Sequence, residues 1–233
     1  MSKTSSRTSF KESHIRLAAI TSSVVYMCLA GLYFSPADIP FKIAFPLASL
    51  TVASLWMCPW QITAALLFST AGDAAGAAGN FLLQMGSFAI AHVFLILYFI
   101  KRYKEKVGRD RNPSPKSLGY TFLINFQCIF LAGMSISTIV LEAPAGILRI
   151  GTGIYVLLIC SMVNLALLQR SSLYALGAIL FVFSDFILGW NKFNSPIENA
   201  GLLIMIPYYL GQWLIYIRST PFRVGPEMRL MRF

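Results

Sequence analysis

From Ile15 to Ile217 the chain is a succession of eight apolar stretches joined by short connections, most of them near the ~20 residues that carry a helix across bilayer hydrocarbon. They run Ile15 to Phe34, Phe41 to Met57, Trp60 to Ala78, Phe81 to Ile100, Leu118 to Val140, Gly146 to Leu168, Leu173 to Trp190 and Ala200 to Ile217. Only 12% of the residues are charged and 57% are hydrophobic, whereas a soluble domain carries roughly a quarter charged residues. The expected fold is therefore all-α: one integral membrane bundle of eight transmembrane helices. Residues 1–14 form an N-terminal tail, 15–218 the transmembrane domain and 219–233 a C-terminal tail. The second stretch is short, and a tight turn at "AAGNF" has to separate the third from the fourth.

The net charge of +10 invites a nucleic-acid reading, but the placement of the cations opposes it. Lys3, Arg7, Lys11 and Arg16 precede the first span; Lys101, Arg102, Lys104, Lys106, Arg109, Arg111 and Lys116 fill the loop 101–117 after the fourth. Arg170 follows the sixth, and Arg218, Arg223, Arg229 and Arg232 follow the eighth, leaving only Lys42, Arg149 and Lys192 elsewhere. Cations gathered at alternate ends place both termini and the 101–117 loop in the cytoplasm. The expected partners are membrane lipids, whose anionic headgroups attract such a loop by about 1 kcal/mol per cation, and no nucleic acid. The basic start without an A-x-A site fits an uncleaved first helix. In a bacterium the expected location is the inner membrane. Cys28, Cys58, Cys128 and Cys160 show no C-x-x-C pair and read as packing residues.

Intramembrane polar side chains mark functional sites or interhelical hydrogen bonds. Here they are Asp73, His92, Gln127, Asn164, Asp185 and Gln212. With cytoplasmic termini, Asp73 and Asp185 each lie about 18 to 20 Å from the cytoplasmic end at 1.5 Å per residue, and His92 about 13 Å. One mid-bundle pocket could hold both acids, His92 and Gln212. Two carboxyls sharing a pocket tend to hold one proton between them, which supplies a general acid and a general base. Either acid alone would serve equally as an anchor to a neighbouring helix; the pair at one depth points to a site. Ser184 and Asp185 are adjacent and project about 100° apart on a helix, which disfavours a serine triad with His92. A single intramembrane histidine gives a thin metal-ligand set, so no metal cofactor is expected. In "AGDAAGAAGN", Gly76 reads as a close helix contact, and Gly72 beside the acid makes room for substrate. Asp73 with Phe81, and Asp185 with Phe193, hint at a parallel four-plus-four repeat.

Gly177-Ala178, Phe181, Ser184-Asp185, Leu188 and Lys192-Phe193, with Gly72-Asp73, Phe81, Gly86, Phe88 and His92, resemble the signature of the YhhN-like, or lysoplasmalogenase (transmembrane protein 86), membrane family. Tyr155, Met162, Tyr209 and Gln212 agree with it; Leu95 stands where the family often has Tyr. The resemblance implies eight membrane helices and hydrolysis of the vinyl ether of a lysophospholipid, lysoplasmalogen, to a fatty aldehyde and glycerophospho-ethanolamine or -choline. It implies Asp73, Asp185 and His92 as catalytic residues. Gly72, Ser184, Gln212, Tyr209, Asn164, Tyr155 and Lys192 are the candidates to bind substrate. The alternative is a proton-coupled transporter that uses the same acids and His92 as a relay.

Overall fold

In the computed structural model the chain is all-helical. It describes residues 2–107 and 115–221, and side chains within 13–105 and 118–221; segment 108–114 of the basic loop and 222–233 of the C-terminal tail lie outside the described residues. Eight α-helices follow one another: α1 (Ser2–Tyr33), α2 (Phe45–Met57), α3 (Trp60–Ala77), α4 (Phe81–Val107), α5 (Pro115–Ser135), α6 (Ile147–Leu168), α7 (Ser172–Phe193) and α8 (Ala200–Ser219). A 3-10 turn (Lys42–Ala44) leads into α2, and a π-helical turn (Ile136–Val140) extends α5. The stretch expected as an N-terminal tail is helical from Ser2 and continuous with α1.

The breaks between helices have local causes. Cys58 is extended ahead of Pro59, which separates α2 from α3, because the proline ring excludes the helical conformation from the residue before it. The turn demanded at "AAGN" is a Schellman motif: Gly79 adopts φ 74°, Gly79 N–H donates to Gly76 O (3.0 Å) and Asn80 N–H to Ala75 O (2.9 Å). Asn80 then starts α4, its Oδ1 accepting from Leu83 N–H at 3.0 Å. One asparagine therefore closes one helix and opens the next.

Six helices, α1 and α4 to α8, are long and apolar enough to cross a membrane. The other two fall short for different reasons. α2 has 13 residues, whereas α3 is diluted by Gln61, Asp73 and its small residues. Large apolar side chains point outward: Trp56 is 78% exposed, Phe122 74% and Ile129 72%, exposures tolerable only against lipid. The protein is an integral membrane protein.

Small residues set the helix pairs that carry the site. On α7 and α8, Gly177 and Gly211 face each other; a Cβ on Gly211 would lie 2.7 Å from the Gly177 carbonyl oxygen, and one on Gly177 3.0 Å from the Gly211 oxygen. On α3, Gly72 lies under the Phe88 ring of α4 (3.0 Å from a Cβ) and Gly76 under the Gln84 amide. α4 also packs on α6, which brings the apolar stripe of α4 between α3 and α6.

Candidate active site

The inward stripe of α4 runs Phe81, Gln84, Met85, Phe88 and His92, at helical spacings of three and four. Together with α6, α7 and the π-helical turn, its first half encloses a cavity with about 600 Å³ of non-atom space, part of it open to the surroundings. The wall is mostly apolar, and its polar groups are Gln84, Ser135, Thr152, Tyr155 and Asp185. The cavity occupies the end of the bundle that holds the α3–α4, α5–α6 and α7–α8 connections, opposite the end where α4 and α8 finish.

Asp185 is the only carboxylate on that wall. Tyr155 of α6 donates its hydroxyl hydrogen to Asp185 Oδ2 at 2.6 Å, leaving Oδ1 without a hydrogen bond among the described residues. His92 sits behind this pair, fully buried, its ring edge-on to Tyr155 at 5.3 Å and to Phe181 at 4.8 Å. His92 Nδ1 lies 2.7 Å from the Phe88 carbonyl oxygen. A carbonyl only accepts, so Nδ1 carries hydrogen, and in the neutral ring Nε2 is a lone-pair acceptor. Nε2 has no partner.

Asp73 lies off this wall. It is 2% exposed and absent from the cavity wall, and Tyr26, Tyr33, Tyr208 and Tyr209 stand close enough to feel its charge. Tyr208 turns its hydroxyl toward the carboxyl without reaching hydrogen-bond geometry: Tyr208 Oη and Asp73 Oδ2 are both buried and unpartnered. Between the two acids stand Phe88, Phe181 and Tyr208, with ring centres 5.5 to 6.5 Å apart. The two acids expected to share one pocket are thus apart: Asp185 lines the cavity and Asp73 does not.

The remaining candidates disperse. Gln212 donates to Ser69 Oγ (3.1 Å), one turn before Asp73, and does not line the cavity. Tyr209 donates to Ile43 O at 2.8 Å. Ser184 donates to Ile204 O at 2.8 Å and stitches α7 to α8 beside Pro207. Asn164 donates to Asn125 Oδ1 at 2.7 Å, on the α5–α6 face and off the cavity wall. Gly72 is covered by Phe88. Lys192 is exposed, with Nζ 5.1 Å from the centre of the Phe81 ring, which in turn meets Phe193 edge to face at 5.7 Å; both rings line the cavity. Gln127 is exposed. Sequence reasoning passed over Gln84, Thr152, Ser135 and Ile139; the three-and-four spacing from Phe81 to Phe88 was the available signal for Gln84.

Among the described residues no cluster of three or more His, Cys, Asp or Glu is disposed to hold a metal. The profile of the YhhN family matches residues 31–219. The human protein Lysoplasmalogenase TMEM86B is 30% identical over 156 residues, covering 66% of this chain and 61% of its own length. The pig protein of the same name is 44% identical over 48 residues, 21% of each chain. The chain therefore spans 61% or less of the length of these curated relatives. No solved structure matches it.

Proposed function

The chain belongs to the YhhN family, and we propose that it is a membrane-embedded hydrolase of the vinyl ether bond of lysoplasmalogen or a related ether lysolipid, with Asp185 as its acid and base. The observation that carries this reading is the Tyr155–Asp185 pair, a carboxyl held at 2.6 Å by a phenol in the wall of an otherwise apolar cavity. The likeness to a human protein named for that reaction supports it.

The chemistry closes on one carboxyl. Protonated Asp185 gives its proton from Oδ1 to the β carbon of the enol ether, and the electron pair of the double bond forms the new C–H bond. The resulting oxocarbenium ion lies against the carboxylate just formed, and Tyr155 steadies the negative charge through Oδ2. Water adds to the cationic carbon while Asp185 takes back a proton. The hemiacetal then breaks its bond to the glycerol oxygen, which leaves with a proton, and a fatty aldehyde is released. Water is the only co-reactant. His92 fixes the Tyr155 ring from behind, and Asp73 acts through space as a second carboxyl.

The same reading has all eight helices crossing the membrane, with both termini cytoplasmic, as the segregated cations favour. The cavity then faces the side opposite the termini. Purified protein with lysoplasmalogen, and with its saturated alkyl ether as control, is the direct test. Aldehyde should appear from the vinyl ether alone. Asp185→Asn should abolish release, whereas Asp73→Asn, remote from the cavity, should lower kcat and leave KM in place. Full activity in Asp185→Asn would end this mechanism. Flux across sealed vesicles without bond cleavage would favour the carrier reading.

A further inference from the structure

One face of α7 carries three features in register. Asp185, Leu188 and Lys192 are spaced by three and four residues, so all three lie along one side of the helix. Asp185 and Leu188 line the cavity, and Lys192 stands at its rim over Phe81. Seven residues of helix separate the acid from the cation, about 10.5 Å of rise, and seven residues return within about 20° of the same direction. Among the described residues no carboxylate forms a salt bridge with Lys192, so its charge is available to a ligand entering beside Phe81.

We propose that this face is a ruler: Lys192 takes the phosphate of a single-chain alkenyl glycerophospholipid while Asp185 meets the vinyl carbon of the same molecule. The proposal rests on the hydrolase reading. In such a lipid seven bonds separate the carbon that receives the proton from the phosphorus, and an extended chain advances about 1.2 Å per bond, or about 8 Å in all. The flexible Lys192 side chain makes up the remaining few ångströms. A phosphate two turns from the acid sets the vinyl ether at Asp185, and the acyl-like tail is left to the apolar wall around Ile159 and Val156. The cation therefore selects for a phosphate at the glycerol end and fixes which bond is cut.

The test compares lysoplasmalogen with its phosphate-free counterpart, a 1-alkenylglycerol, on wild-type protein, Lys192→Gln and Lys192→Arg. For wild-type protein KM should be about tenfold lower for the phosphate-bearing lipid, as expected for one charge-assisted contact near a surface. Lys192→Gln should remove that preference by raising KM for lysoplasmalogen, without a matching change for the 1-alkenylglycerol; Lys192→Arg should restore it. Cleavage of both lipids with equal KM, or an equal loss on both in Lys192→Gln, would overturn the ruler and leave the hydrolase standing. If wild-type protein releases aldehyde from neither lipid, the hydrolase reading falls and takes the ruler with it.

Discussion

Removing one oxygen atom from Tyr155 isolates the contribution of the pair it forms with Asp185. Tyr155→Phe keeps the ring that packs edge-on to His92 and deletes only the hydrogen bond at 2.6 Å. In the resting enzyme that bond is made to a neutral acid; when the oxocarbenium ion forms, it is made to a carboxylate. A charge-assisted hydrogen bond is roughly twice as strong as a neutral one, so the transition state loses about 1.5 kcal/mol more than the ground state. That corresponds to about a tenfold fall in kcat with KM little changed. Tyr216→Phe is the control, because Tyr216 is buried where Tyr155 is half-buried, and its hydroxyl pairs with Ser22 Oγ at 2.9 Å on the α1–α8 contact, away from the cavity wall. Each variant loses one hydrogen bond of about 0.5 to 1.5 kcal/mol in stability, so the two should melt alike. Aldehyde release, followed through NADH consumption by a coupled dehydrogenase, should separate them. The reasoning fails if Tyr155→Phe stays within twofold of wild type, or if Tyr216→Phe falls as far.

Three glycines give further predictions. Gly211→Ala sets a methyl group 2.7 Å from a backbone oxygen and 3.2 Å from the Phe181 nitrogen, atoms that move only with their helices. Thermal unfolding in detergent should show about 1 to 3 kcal/mol of destabilisation, whereas Gly31→Ala, with open space around it, should be neutral or slightly stabilising. Gly189→Ala would press on Ile139 Cγ2 at 3.0 Å; Ile139 is a cavity-wall residue on the π-helical turn, so its displacement should raise KM for lysoplasmalogen severalfold, read from the same aldehyde assay.

Much of the fold was legible because hydropathy and the breakers act locally. Eight apolar stretches became eight helices with ends within a few residues of expectation, except α1, whose helix extends back to Ser2, and α4, which runs on from Ile100 to Val107 into the expected basic loop. Gly79 and Asn80 carried the sharp turn in their own conformational preferences. The site was legible only in part. Counting residues along a helix gives height in the membrane, but azimuth depends on which small residues let which helices approach. Gly177 against Gly211 and Gly72 beneath Phe88 settle those directions, and no spacing rule exposes a contact between helices far apart in sequence. Asn164 shows the consequence: a polar residue at a suitable depth that turns to Asn125 and away from the cavity.

The aromatic wall of Phe88, Phe181 and Tyr208 bears on why only one of the two acids lies on the cavity wall. Cleavage of a vinyl ether consumes one proton at carbon and recovers one from water, so a single carboxyl alternating between acid and base completes the cycle. A second carboxyl touching the substrate would compete for the oxocarbenium ion and risk trapping it as an ester. On the proposed mechanism Phe88, Phe181 and Tyr208 would keep Asp73 from that contact, and in a low-dielectric layer a charge acts over longer distances than it does in solvent. Asp73 Oδ2, Tyr208 Oη and His92 Nε2 are left buried without partners near this wall, each an expense of about 1 to 3 kcal/mol that a purely structural core would avoid. Two more such atoms among the described residues, Gln61 Oε1 and Arg102 Nε, lie elsewhere, so this partition holds three of the five.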